Sequence, residues 1–87
     1  MSLTKEKQPI VDVFEEGDYV LILAELPGMD KENVKVQADE NIVTITAENA
    51  TKKYLETVKL PTSVSRSTIK FTCRNNVLQA KVKKQII

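Results

Sequence analysis

Tyr19-Val20-Leu21-Ile22-Leu23-Ala24-Glu25-Leu26-Pro27-Gly28 is the stretch whose reading decides the fold. Its period is two. Val20, Ile22, Ala24 and Leu26 share one face, and Tyr19, Leu21 and Leu23 share the other before Glu25. A strand that is apolar on both faces either is covered twice or keeps one face for a partner. Pro27 presets φ for the second position of a turn, and Gly28 accepts the positive φ that a type II turn then needs.

The same period continues on both sides. Upstream, Ile10 to Glu15 reads as a strand that reaches Tyr19 through the turn Glu16-Gly17-Asp18. Downstream, Asp30 can cap one helical turn over Lys31-Glu32-Asn33. Val34 to Ala38 and Ile42 to Ala47 alternate around Asp39-Glu40-Asn41. A polar link, Glu48 to Lys53, leads to a strand from Tyr54 to Leu60, which Pro61 ends because it has no N–H for a ladder. Thr62 to Thr68 reads as a loop with one helical turn. Ile69 to Cys73 and Val77 to Val82 flank Asn75-Asn76, where asparagine tolerates left-handed φ. Seven short strands at regular spacing, with no helix beyond a turn, predict an all-β, two-sheet sandwich of immunoglobulin-like form.

Composition agrees and excludes much chemistry. The chain has 87 residues, the length of one domain. Valine, isoleucine and threonine together number 25, a β-branched excess that favours strands. Thirteen Lys+Arg against 12 Asp+Glu leave a net charge of +1, so nucleic acid and membrane are not expected partners. With no histidine and one cysteine, a histidine base, a Cys-His pair, the usual zinc sites and an intrachain disulfide are all excluded. No Gly-rich loop cradles a phosphate. The expectation is therefore a non-enzyme without metal or cofactor. Missing signal-peptide character, no long apolar run and a lone Cys73, expected buried and inert, point to the cytoplasm. Asn49-Ala50-Thr51 matches a glycosylation sequon, and the plainer reading is a polar loop.

Several segments in order carry a resemblance: Val11-Asp12-Val13-Phe14-Glu15, Ala24-Glu25-Leu26-Pro27-Gly28, Val34-Lys35-Val36, Asn41-Ile42-Val43-Thr44-Ile45, Leu60-Pro61 and Asn75-Asn76-Val77-Leu78. Together they resemble the α-crystallin domain of small heat shock proteins, the Hsp20 family. The resemblance spans residues 10 to 84, between a short N-terminal segment, 1–9, and a tail, 85–87. It implies an ATP-independent chaperone that binds partly unfolded clients and suppresses their aggregation. The chain departs from the pattern at Asn76, where a glycine is usual, and at Phe71, where an alanine is usual. The link from Glu48 to Lys53 is too short for the extra strand that bacterial, archaeal and plant members exchange between subunits. In this it is similar to short-loop Hsp20-like domains of gas-vesicle proteins and arsenite-pump-type ATPases, and to co-chaperone domains of the p23/CS type. An adaptor for one folded partner, or an accessory domain, is the alternative function.

The candidate binding residues follow. Leu21 and Leu23 form an apolar strand face for clients or for self-association as a dimer. The resemblance implies a groove between the Val34 and Ile69 strands, bordered by Val34, Val36, Ile69 and Phe71. Ile86 and Ile87 are the candidate tail anchor, although they do not form the family's Ile-x-Ile. The lysines Lys81, Lys83 and Lys84 read as a solubilising edge.

Overall fold

A computed structural model describes residues 10–85, so segment 1–9 and the candidate anchor Ile86 and Ile87 lie outside the described residues. The expected strands are present: β1 (Val11–Glu16), β2 (Tyr19–Glu25), β3 (Val34–Asp39), β4 (Ile42–Glu48), β5 (Lys53–Lys59), β6 (Lys70–Arg74) and β7 (Val77–Lys83). Two one-turn 3₁₀ helices, Lys31–Asn33 and Arg66–Thr68, fill the loops. Ile69 was expected to begin a strand. It instead closes the second of these turns, its N–H donating to the Arg66 carbonyl.

The strands form two antiparallel sheets, one ordered β1-β2-β7-β6 and the other β3-β4-β5. Their facing surfaces make the core. Val20, Ile22 and Ala24 of β2 and Leu78, Ala80 and Val82 of β7 meet Val43, Ile45 and Ala47 of β4. Among the described residues no polar or charged residue is buried with them. Burying each large apolar side chain stabilises the fold by roughly 1.5–3 kcal/mol, so a small core suffices only because it is wholly apolar. On β1, whose Val13 pairs with Ile22 and Glu15 with Val20, cover fades along the strand. Val11 is half-buried, while Val13 and Glu15 are exposed.

Two-residue turns close three hairpins, and each uses left-handed backbone. Asn75 and Asn76 have φ of 51° and 68°, so asparagine takes both central positions. Gly17 and Glu40 take the first central position of the β1–β2 and β3–β4 turns at 43° and 55°. Glutamate there is unusual. The Glu40 carbonyl accepts the Val64 N–H at 2.8 Å, and the Asn41 carbonyl accepts the Leu60 N–H at 2.6 Å. The incoming loop thus holds the strained turn in place.

Candidate functional site

Pro27-Gly28 is a junction rather than a simple turn. The Leu26 N–H donates to the Asn76 carbonyl at 2.7 Å, and the Gly28 N–H donates to Asn76 Oδ1 at 3.1 Å. The Asn49 amide donates to the Gly28 carbonyl at 2.9 Å, and the Tyr54 hydroxyl donates to the Pro27 carbonyl at 3.2 Å. The end of β2, the β6–β7 hairpin and the β4–β5 link therefore meet at two residues. Asn76, in place of the usual glycine, supplies an acceptor that glycine lacks. Asn49 Oδ1 also accepts the N–H groups of Thr51 and Lys52 at 2.9 and 2.8 Å. The sequon is thus a polar loop, as its plainer reading held, and its asparagine is a structural clamp.

Two surfaces around this frame can bind. The first lies between β3 of one sheet and the turn leading into β6 of the other. It is a trough of about 690 Å³ lined by Val36, Ala38, Ile42 and Ile69 together with the polar Gln37, Asp39, Glu40, Thr44 and Arg66. Arg66 and Asp39 approach to 4.0 Å, both well exposed, which is a weak pair. Val36 and Ile69 are brought together as expected. Val34 and Phe71 share their strands but not the wall of the trough. Val34 is buried in the core, and Phe71 is half-buried with the Lys31 ammonium 5.7 Å from its ring. Ile42 and Arg66 were not expected here. Ile42 reads from the sequence as the first residue of a strand, on the same side as Thr44 and Thr46, and it is 41% exposed where it lines the trough.

The second surface is the outward face of the four-stranded sheet. Pairing arranges it in rows across the strands. Glu16, Tyr19 and Lys83 form one row; Phe14, Leu21, Lys81 and Lys70 the next; Asp12, Leu23, Gln79 and Thr72 the third. Tyr19, Leu21 and Leu23 are half-buried, and Phe14 is exposed. The Lys81 ammonium sits 4.0 Å from the centre of the Tyr19 ring, a cation–π contact that partly roofs it. The apolar stripe on β2 is thus flanked by Asp12, Phe14 and Glu16 on β1 and by Gln79, Lys81 and Lys83 on β7.

Cys73 is half-buried rather than buried, and its thiol donates to the Met29 carbonyl at 3.5 Å. Burial, with the Asp30 charge second, pushes the thiol's pKa up, which keeps it protonated and unreactive. Among the described residues no cluster of His, Cys, Asp and Glu could hold a metal ion, and no helix is long and apolar enough to cross a membrane.

A family model described as the Hsp20/alpha crystallin family matches residues 12–86. The chain is similar to heat shock protein 16.0 from Schizosaccharomyces pombe, at 25% identity and a TM-score of 0.80, over 94% of this chain and 70% of that one. It is similar to hspA from Xanthomonas axonopodis at 26% identity and a TM-score of 0.79, over 92% and 96% of the two chains. A small heat-shock protein from Xylella fastidiosa shares the fold at 24% identity and a TM-score of 0.74, over 91% and 87%. No curated protein matches at the sequence level.

Proposed function

Because the chain belongs to the Hsp20/alpha crystallin family, we propose that it is an ATP-independent chaperone that holds partly unfolded proteins and keeps them from aggregating. The observation that carries this reading is the half-exposed apolar stripe of Leu21 and Leu23 on the outward face of β2. A folded sheet normally directs polar side chains to water there. An exposed apolar segment of a client gains roughly 25 cal/mol for each Å² of apolar surface it buries on that stripe. A bound chain is withdrawn from the pool that aggregates.

The trough between β3 and β6 is a second client or tail site. Val36 and Ile69 supply its apolar wall, with Val34 and Phe71 further along the same strands supporting it. Ile86 and Ile87 of a neighbouring copy are its candidate tail anchor. A cytoplasmic setting fits a chain whose single cysteine is half-buried and protonated.

The test is turbidity of unrelated model clients, heated with increasing amounts of the protein. Suppression across clients, lost in Leu23→Lys, supports the chaperone. No suppression, with tight capture of one folded partner, supports an adaptor of the co-chaperone type instead.

A further inference from the structure

The net charge of +1 hides a division along the chain. From Thr57 onward the sequence has seven Lys and Arg and no Asp or Glu. The fold gathers four of these cations on one surface. Lys70 and Arg74 of β6 and Lys81 and Lys83 of β7 lie on the outward side of the four-stranded sheet, and all are exposed. Lys70 and Lys81 are direct cross-strand partners, a like-charge pair that costs stability unless an opposite charge lies on it. Among the described residues the ion pairs are Lys84 with Glu15 and Arg66 with Asp39, and neither reaches these four cations. Lys81 leans toward β2, where its ammonium sits 4.0 Å from the centre of the Tyr19 ring. Its charge therefore stands at the end of the apolar stripe, on the strand beside Leu21, and Lys83 lies opposite Tyr19.

We infer that the clients this stripe prefers are apolar segments flanked by aspartate or glutamate, with the acids lying on Lys70, Lys81 and Lys83. The inference rests on the client reading of Leu21 and Leu23 and adds a charge preference to it. Other anions fit the face less well. A membrane surface would press on all of it, including Asp12 and Glu16 on β1, which anionic headgroups repel. A nucleic acid needs open aromatic rings for its bases, and Tyr19 is already partly roofed by Lys81. An extended segment lying along β2 meets the lysines from one side and need not cross β1. Neighbouring strands lie about 4.8 Å apart, and a lysine side chain spans that gap while its charge stays in water.

Fluorescence anisotropy of the full chain with a pair of labelled peptides tests this. The peptides share one apolar run and carry either glutamates or lysines at both ends. At low salt the glutamate peptide is expected to bind about tenfold tighter, because several exposed pairs of small individual worth act together. High salt closes the gap. Lys81→Glu/Lys83→Glu is expected to reverse the preference. Lys35→Glu/Lys59→Glu makes the same change of net charge on the outward face of the other sheet and is expected to leave the preference in place. All four lysines are exposed, and circular dichroism checks that each variant folds. Equal binding of the two peptides overturns the inference. So does a preference that survives in Lys81→Glu/Lys83→Glu, or one that Lys35→Glu/Lys59→Glu removes as well. In each of these results the peptides still bind, so the chaperone reading stands. Binding to phosphatidylserine vesicles with no preference between the peptides would assign the lysines to a membrane instead. Leu21→Thr/Leu23→Thr is expected to weaken both peptides alike. If it weakens neither, or if neither peptide binds the parent, the stripe is not the client surface and the inference falls with it, whereas turbidity of whole clients still decides the chaperone reading.

Discussion

The two sheets have matching inward faces and opposite outward ones. Inward, β2 offers Val20, Ile22 and Ala24, and β4 offers Val43, Ile45 and Ala47, all buried. Outward, β2 carries Tyr19, Leu21 and Leu23, whereas β4 carries Ile42 at its first position and then Thr44 and Thr46. The inward sets make a sandwich whatever lies outside. The outward sets differ along the central strands: β2 is apolar along its length, while β4 turns to threonine after Ile42 and Leu55 stands exposed beside Thr46. Threonine keeps the β-branched shape a strand favours but gives water a hydroxyl. Leucine on the same kind of strand leaves apolar surface that only a second body covers.

The inward match is the first thing to break. Ile22 and Ile45 are both fully buried, so Ile22→Ala and Ile45→Ala are each expected to destabilise the fold by roughly 2–5 kcal/mol in urea unfolding. A much smaller loss at one would show that its sheet yields around the cavity and that the two are not equal halves of the core. The junction at Pro27-Gly28 comes next. Asn49→Ala strips the amide that clamps Gly28, Thr51 and Lys52, and Asn76→Ala removes the acceptor for Gly28. Each is expected to lower stability by about 0.5–1.5 kcal/mol, because most of these bonds are exposed and water can replace them. Asn76→Gly keeps the backbone free and loses only the side-chain bond, so it should fall between Asn76→Ala and the parent.

The outward contrast predicts a functional exchange at little cost in stability. Leu21→Thr/Leu23→Thr should change stability by about 1 kcal/mol or less, because these residues are only half-buried. It should remove most client protection in the turbidity assay. Thr44→Leu/Thr46→Leu gives the three-stranded sheet the other sheet's character, and it is expected to raise client capture on that side. If the first pair of changes leaves protection intact, the stripe is not the client surface and the trough bears the activity.

Much of this was legible before any coordinates. Period two marks inward and outward residues without knowing what lies opposite, so β2, β4 and β7 and their buried sets could be read from the order of residues alone. Asn75-Asn76 was legible because few residues other than glycine accept left-handed φ. The trough was not. Its wall joins edges of two different sheets, and strand membership does not say how far along each edge the cavity runs. Val36 and Ile69 line the trough, Val34 and Phe71 lie off it on their strands, and Ile42 and Arg66 line it from positions whose strand and loop reading gave no sign of it. Asn49 read only as part of a polar loop, and its clamping role was hidden because its partner, the Gly28 carbonyl, is 21 residues away in sequence. The outward rows of charged and apolar residues were hidden for the same reason, since they appear only when β1, β2 and β7 lie side by side.

The smallest expected effect compares one turn position in the two sheets. Gly17 and Glu40 both sit first in a two-residue hairpin with positive φ. Nothing lies within 4 Å of a Cβ built on Gly17, so Gly17→Ala meets no clash and incurs only the left-handed backbone penalty, about 1 kcal/mol. Glu40→Gly removes the same penalty but frees the unfolded chain, and that entropy offsets part of the gain. The net expectation is a stabilisation of about 0.5 kcal/mol, opposite in sign to Gly17→Ala and smaller in size. Thermal unfolding of the two single variants and their combination checks it. Additivity is expected, because the turns belong to different sheets and share no partner. A Glu40→Gly variant that loses stability would mean that the Glu40 and Asn41 carbonyl bonds to Val64 and Leu60 need a stiff turn to hold their acceptors. The three-stranded sheet would then rely on its loop more than the four-stranded sheet does.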